Sequence, residues 1–393
     1  MPIELNKIPE KRSLPEPPNK LRWALIVILI TLIAGGCSLY FWPKEVSTHS
    51  SWFWFSTLVA PFLTGSICYA ARLRYYENKR DAIIWWNQLH QERYDELVLY
   101  GQRAAGILGK AYMTPGICNK LAAALIQGNC MLQSHFSSRL QKTVISAQLA
   151  PPLNEVTQRG YQQRVAHFLS DVIKMLQPEL SALTEPVSVR LRHDGTLDNV
   201  QMLAVWQRIF PAEYSGGEID VIAEDDGLIW LDSWLDRSKA ELLLSVEINL
   251  FLDAREHQAE SVSAILLASP EWLATHNEEL IARVHRPVMP RAESTWLEDT
   301  VRWGKLAAGE GFTLWRAQLN GGVLCGILQD MERAGYLPGI RNDYRLDELF
   351  GKPGTAVGNI VLLCAAEHAQ TTGEAQWAIA QEISPHQVIV RPA

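Results

Sequence analysis

The sequence predicts an α/β protein in which an N-terminal two-helix transmembrane hairpin precedes a layered α/β domain. Three observations carry this. Two uncharged apolar stretches, Trp23 to Trp42 and Ser51 to Ala71, lie side by side near the N-terminus. Each is about 20 residues long, enough at 1.5 Å per residue to span a hydrocarbon core of roughly 30 Å. Beyond Arg72 charged and apolar residues mix as in a folded aqueous domain, and short aliphatic runs alternate with helical patterns, the rhythm of a sheet covered on both faces.

Residues 1–20, with Pro2, Pro9, Pro15, Pro17 and Pro18 among charges, read as a flexible cytoplasmic tail. Residues 21–71 form the hairpin. Lys7, Lys11, Arg12, Lys20 and Arg22 precede it and Arg72, Arg74, Lys79 and Arg80 follow it, whereas the turn holds only Lys44. The positive-inside rule then places both termini in the cytoplasm. Trp23, Tyr40, Phe41, Trp42, Trp52, Phe53 and Trp54 sit at the span ends, as an interfacial aromatic belt requires. Pro61 should kink the second helix. A cleaved signal peptide fits less well, because the apolar run is too long and a second span follows at once.

Residues 72–150 read as a helical connector and a first α/β segment. Tyr75, Tyr76, Ile83, Ile84, Trp86, Leu89, Tyr94, Leu97 and Leu99 recur near the helical period. Gly106 to Gly128, rich in Gly and Ala, reads as a strand followed by a helix, Ile117 to Leu132, and then comes a strand from Leu140 to Leu149 closed by Pro151-Pro152. Residues 151–393 read as the main α/β domain. Arg164 to Leu183 and Asn199 to Ile209 are amphipathic helices, and Val187 to Leu191 and Asp220 to Ile222 are short strands. Ile229 to Leu235 is a short helix. Leu242 to Leu252 is an apolar strand broken only by Ser245, Glu247 and Asn249, and Ser261 to Ala268 is another strand. Helices follow over Gly322 to Ala334 and Thr355 to Thr372, and Trp377 to Gln381 with Gln387 to Val390 close the fold. No repeat of fixed short period is present.

The 393 residues carry a formal net charge of −7. The first 80 hold an excess of Lys and Arg, so the remainder is strongly acidic, which argues against a nucleic-acid partner. Cys37, Cys68, Cys118, Cys130, Cys325 and Cys364 show no ligand spacing, so neither zinc nor a disulfide framework is expected, and most should be buried small hydrophobes. No metal, cofactor-binding or catalytic residue is assigned. His257, His276, His285 and His368 each lack a partner at readable spacing. Asp225-Asp226-Gly227 is a turn before it is a metal site, and Glu278-Glu279 is a solvated helix face. Trp230, Trp234, Trp272, Trp296, Trp303 and Trp315 lie in segments that read as surface helices. Interfaces enrich this residue, although each taken singly is more readily a core residue.

The strand Glu260 to Leu267, the turn Gly351-Lys352-Pro353-Gly354, the small-residue helix after it and the closing strands resemble the second half of the thiolase-like, or β-ketoacyl-synthase-like, fold. That resemblance implies a Gly-His pair at the turn, the His binding a thioester oxyanion, and a reactive cysteine at a helix N-terminus. Here Gly351 is followed by Lys352, and only Cys118 and Cys130 lie in the appropriate half. The fuller resemblance, from about residue 155 onward on a domain-size estimate, is to the type VI secretion lipase adaptors. It rests on Trp230 to Leu235, Glu260 to Leu267, His285-Arg286-Pro287-Val288, Leu349 to Gly354 and Glu367-His368-Ala369.

That second resemblance implies a non-enzymatic adaptor at the bacterial inner membrane, anchored in the bilayer through residues 23–71. It would bind a phospholipase effector and deliver it to the secretion spike protein. The alternative is a membrane-bound thiolase-like acyltransferase with a degenerate active site, using Cys118 or Cys130 and a distant His285 or His368. A third class, an immunity or sensory protein, agrees poorly with a cytoplasmic domain.

Overall fold

In a computed structural model of the chain, residues 3, 5–43, 47–137, 141–151, 157–214, 216–290 and 296–393 are described. Pro2, Lys44, Leu140 and Pro152 lie outside them. Two compact units result, Ile3–Leu97 and Val98–Ala393.

In the first unit, α1 spans Lys20–Phe41 and a second helix, α2, begins at Ser51 and continues to Gly101. Both are long and apolar enough to cross a membrane, by length and composition. Asn19 caps α1 by accepting from the N–H groups of Leu21 and Arg22, and Ser50 caps α2 by accepting from Phe53. The helices meet through small residues: a Cβ on Gly65 would lie 3.1 Å from Val27 Cγ1, so glycine permits the close approach. Pro61 follows a π-helical stretch, Phe55–Val59, whose wider turn accommodates a residue lacking an N–H. The N-terminal tail contacts α2. The Asn87 side chain accepts from Arg12 N at 2.9 Å and donates to Arg12 O at 2.8 Å, and the Arg12 guanidinium lies 4.4 Å over the Trp86 ring.

The second unit is built on one 11-stranded sheet. Strand β1 (Ala104–Thr114) turns into β2 (Ile117–Cys118), followed by the short helix α3 (Leu121–Ile126) and a separate hairpin of β3 (Gln133–Ser137) and β4 (Lys142–Ser146). Helix α4 (Gln158–Ser181) leads to β5 (Val187–Arg192), α5 (Asn199–Ile209), β6 (Ile219–Ile222), α6 (Ile229–Leu235), β7 (Leu242–Asn249) and β8 (Ser261–Ala268). After β9 (Ala282–His285) and α7 (Trp296–Trp303) come β10 (Phe312–Ala317), α8 (Gly321–Arg333), β11 (Ile340–Arg345), α9 (Val357–Thr372), β12 (Ala375–Gln381) and β13 (Pro385–Pro392).

The strand order is β11-β10-β12-β13-β9-β1-β8-β7-β5-β6. It contains the same unit twice. In β5-α5-β6-α6-β7-β8 and again in β10-α8-β11-α9-β12-β13, the first strand has the second on one side and the third on the other, both parallel to it, and the fourth runs antiparallel beside the third. The repeat is one of topology and is invisible as sequence periodicity.

Helix α9 explains how the two copies are stacked. Every residue from Val357 to Ala366 is buried, so the helix is apolar all round and needs cover on all sides. With α6 it joins a core containing Ile107, Ile265 and Leu267 from one half-sheet and Trp315, Ala378 and Val390 from the other. A second core lies on the outer face of the first half-sheet, where Phe168, Leu169 and Val172 of α4 and Trp206 of α5 pack on Leu244 and Val246. The layers are therefore helix, sheet, helix, sheet and helix, the last including α7 on the buried outer face of the second half-sheet, where Gly304 abuts Ile389. Helix α9 is closed by Gly373 in the left-handed conformation, φ +70°.

The six tryptophans considered for an interface are accounted for by this packing. Trp234, Trp272, Trp296, Trp303 and Trp315 are buried, and Trp230 packs partly buried against the central core. Conversely, among the cysteines only Cys364 is buried. Glu278 and Glu279 are exposed on a loop and not on a helix.

Candidate active site

In an open α/β sheet, ligand chemistry gathers at the carboxyl ends of the strands, where successive connections leave in opposite directions. Each repeat has one such point, between β5 and β7 and between β10 and β12. The two meet, and each third strand's end braces the turn before the other repeat's central helix.

At the first point, Arg190 and Arg192 share one face of β5 and are buried. Arg190 Nη1 is 3.3 Å from Glu247 Oε1 of β7, and Nη2 pairs with Asp225. Arg192 Nη2 donates to Asp225 O at 2.7 Å and to Glu382 Oε1, just past β12, at 2.6 Å. Glu382 Oε2 accepts from Gly227 N at 3.1 Å. Asp226 Oδ1 accepts from the N–H groups of Ile383 and Ser384, each at 3.1 Å. Leu228 N donates to His386 Nε2 at 3.2 Å, while Nδ1 lies 3.1 Å from Ser384 O. The ring is therefore the neutral tautomer protonated at Nδ1. Gly227 is required here: its φ is +52°, and a Cβ would stand 2.0 Å from the His386 ring.

Burial raises the Glu247 carboxyl against the pull of Arg190 and Arg192, and it raises Glu382 against Arg192. Burial lowers His386. Burial also opposes the Arg192 charge, but Glu247 and Glu382 outweigh it and its pKa is raised.

The second point is made of amides and one carboxylate, Asp347. Gln318, at φ +58°, follows β10, and its backbone N–H donates to both Asp347 oxygens at 3.0 Å. Its side chain donates to Gly354 O at 3.1 Å and Gln381 O at 3.3 Å, and accepts from Gly354 N at 3.0 Å. Gly354, φ +61°, passes so close to Asn249 at the end of β7 that a Cβ would lie 2.5 Å from its Oδ1. Thr355 Oγ1 donates to Ile248 O at 3.0 Å. Burial raises Asp347, countered by the Gln318 N–H.

The sequence held one signal for this arrangement. The polar residues interrupting the apolar strand β7 recur at every second position, so they share a face. Ser245 Oγ is 3.1 Å from Asn359 Oδ1, Glu247 Oε2 accepts from Asn359 N at 2.8 Å, and Asn249 meets the turn before α9. Arg190, Arg192, Gln318, Glu382 and His386 carried no local signal, because, apart from the contact of His386 with Ser384 O, their partners are 29 to 190 residues away.

The residues proposed from sequence are dispersed. Cys118 is exposed on β2, beside a helix whose first donors are already used: Leu121 N donates to Tyr112 Oη at 2.6 Å and Ala122 N to Glu367 at 3.1 Å. Cys130 is also exposed, and it lies beside the Gly351 turn. Met131 N donates to Leu349 O at 2.7 Å, and Leu132 would be 3.0 Å from a Cβ on Gly351. Lys352 is exposed on that turn. His285 is buried on β9 with Nδ1 unpartnered, and burial, aided by Lys305 and Arg391, lowers its pKa to about 4. His368 is buried on α9, Nδ1 2.9 Å from Gln376 Oε1 and flanked by Trp315 and Tyr344. Neither histidine is paired with a cysteine. His257 is exposed, and His276 stacks on Trp272 at 4.0 Å. Asp225-Asp226-Gly227 is a turn, and no metal-holding cluster occurs among the described residues.

No family model and no curated protein matches the sequence. Solved structures do. An oxazolomycin ketosynthase domain from Streptomyces albus superposes with a TM-score of 0.53 at 10% identity, covering 74% of this chain and 75% of that one. The module 1 ketosynthase of the Bacillus amyloliquefaciens bacillaene synthase gives 0.51 at 9%, covering 75% and 76%. The ishigamide ketosynthase/chain length factor gives 0.50 at 14%, covering 74% and 99%. The α/β domain has the ketosynthase fold.

This corrects the larger part of the functional expectation. The segments that suggested a type VI secretion lipase adaptor, Trp230 to Leu235, Glu260 to Leu267, His285 to Val288, Leu349 to Gly354 and Glu367 to Ala369, are α6, β8, β9 with the residues after it, the turn before α9, and α9 itself. They are framework elements of a ketosynthase fold, so they carry no information about secretion. The lipase effector and spike partners go with that reading, as does the expectation of a non-enzymatic domain, because the matched structures are ketosynthase domains. Placement of the domain in the cytoplasm at a bacterial inner membrane is withdrawn too: the two apolar helices qualify by length and composition alone.

Proposed function

We propose that the α/β domain binds an acyl thioester and transfers its acyl group by way of Cys130, in a chain that also carries two helices of membrane-spanning length. The observation that carries this is the pinning of Cys130 beside the turn before α9 by the Met131 to Leu349 hydrogen bond and the Leu132 to Gly351 contact. The ketosynthase fold supports it. The resemblance implies a Gly-His pair on that turn to stabilise a thioester oxyanion, and the exposed Lys352 ammonium takes the histidine's place in the sequence. In the transfer step the Cys130 thiolate attacks the thioester carbonyl, a new carbon–sulfur bond forms, and the donor thiolate leaves with the electron pair of the broken one.

The test is incubation of the full-length chain in detergent with acetyl-CoA and decanoyl-CoA, followed by intact-mass measurement. A hydroxylamine-sensitive acyl adduct that persists in Cys118→Ala and vanishes in Cys130→Ala is expected. No adduct, or one that survives Cys130→Ala, overturns the proposal.

A further inference from the structure

A cavity of about 230 Å³ lies between α3 and the C-terminal half of α9. Lys110 of β1, Asn119, Lys120, Glu367, His368 and Gln370 are among its walls, and Cys130, Gly351 and Lys352 are not. Apart from three residues of α3 the lining is polar, so the space suits a hydrophilic occupant.

Gln376 of β12 fixes what His368 offers there. Trp315 Nε1, which can only donate, lies 2.9 Å from Gln376 Oε1, and Gln376 Nε2 donates to Glu374 O at 2.9 Å, so the amide has one orientation. His368 Nδ1, 2.9 Å from the same Oε1, must then carry the proton. In the neutral ring this leaves Nε2 a bare acceptor. His368 is only 7% exposed, yet Nε2 keeps its access to solvent and has no partner among the described residues. It therefore asks for a hydroxyl or N–H donor from whatever fills the cavity.

The charges add a second requirement. Both oxygens of Glu367 are taken: Oε1 accepts from Tyr112 Oη at 2.6 Å and from Lys110 Nζ at 2.5 Å, and Oε2 accepts from Ala122 N at 3.1 Å. Lys110 offsets the carboxylate charge. Lys120 is exposed and pairs with no carboxylate among the described residues, so the walls carry a net positive charge. An anion is therefore attracted and a cation is not, and ammonium groups serve an oxyanion as point charges.

We infer that this cavity binds a small hydroxylated oxyanion, such as a polyol phosphate, whose hydroxyl donates to His368 Nε2 while its charged oxygens face Lys120 and Lys110. The site is independent of the acyl-transfer proposal and shares no residue with it.

The test is calorimetric titration of the full-length chain in detergent with glycerol 3-phosphate, glycerol and methyl phosphate at about pH 8, where methyl phosphate has no proton to donate. Glycerol 3-phosphate should saturate one site. Glycerol, which lacks the anion, and methyl phosphate, which lacks the hydroxyls, should each bind at least about tenfold more weakly. Lys120→Ala should weaken glycerol 3-phosphate binding at least about fivefold. His368→Phe, which keeps a ring and removes the acceptor, should weaken it ~5-fold, the usual effect of one hydrogen bond. No saturation by glycerol 3-phosphate, or either partial probe binding as well as the whole one, overturns the inference. So does unchanged affinity in Lys120→Ala, or in a His368→Phe chain that keeps the native melting temperature.

Discussion

The two repeats share a topology and differ in what fills their crevices. Between β5 and β7 lie the buried Arg190, Arg192 and Glu247 with the half-buried Asp225 and Glu382, a paired set of charges. Between β10 and β12 lies Gln318, bonded through neutral groups to Gly354 and Gln381. The same fold position is thus held once by ion pairs and once by an amide. The difference teaches where the domain can tolerate change. Charges withdrawn from water are held only by each other, and loss of one strands the rest, whereas loss of an amide leaves dipoles that a water molecule can satisfy.

The sharpest way to break this comparison is Glu247→Ala. Glu247 is fully buried, faces two arginines and accepts from Asn359 N. Its removal should cost about 3–5 kcal/mol, the usual penalty for an orphaned buried charge. Urea denaturation of the full-length chain measures it. A loss below about 1 kcal/mol would mean that the charged crevice is no tighter than the amide one.

His285 stands on β9, between the repeats, and predicts a pH effect nearly as large. Its folded pKa, about 4, lies below the usual 6.5, so the unfolded chain takes up the proton first. Its contribution is therefore present above pH 6.5 and lost as pH falls through about 4, roughly 3 kcal/mol across that window. Glu247, Glu382 and Asp347 have raised values and act with the opposite sign, favouring the fold below the ordinary carboxylate range and losing that contribution as pH rises through their folded pKa values. Melting temperature against pH for the natural chain and His285→Gln isolates the histidine. Parallel curves between pH 6.5 and 4 would refute its role.

The contrast between the repeats also explains what could be read in advance. Asn199–Ile209 and Ile229–Leu235 appear with the bounds the sequence suggests because their helical periodicity is local, and Ser261–Ala268 because Ala264 to Ala268 is an unbroken apolar run. Strands β9 and β10 escape notice: Ala282–His285 has only four residues with an arginine among them, and Phe312–Ala317 is buried on both faces, so nothing alternates. The tryptophans misled for a related reason. A helix of eight residues such as Trp296–Trp303 carries Glu298, Asp299 and Arg302 and reads as surface, yet its indoles face inward. Of the site, the Ser245, Glu247 and Asn249 alternation was visible, as were the turns Asp225-Asp226-Gly227 and Gly351 to Gly354. The ion pairs join residues such as Arg192 and Glu382, 190 positions apart, and only topology brings them together.

Gln318 offers a smaller effect with an internal control. Gln318→Ala removes three side-chain hydrogen bonds and keeps a Cβ at φ +58°, and should cost about 1–3 kcal/mol. Gln318→Gly removes the same bonds but relieves the left-handed backbone, and should be less destabilising by about 1 kcal/mol. Equal losses in denaturant midpoints would show that the strain at this position carries no weight.

Lys352 separates stability from chemistry. Its ammonium is exposed, and only its backbone is engaged, donating to His257 O at 2.8 Å and accepting from Ala259 N at 2.9 Å. Lys352→Ala should therefore change stability by less than about 0.5 kcal/mol. If the turn stabilises a developing oxyanion, the same variant should acylate Cys130 at least about tenfold more slowly, while Lys352→Arg, which keeps the charge, recovers most of the rate. An unchanged rate in Lys352→Ala would leave the amide-lined crevice a structural brace only and remove the lysine from the proposed chemistry.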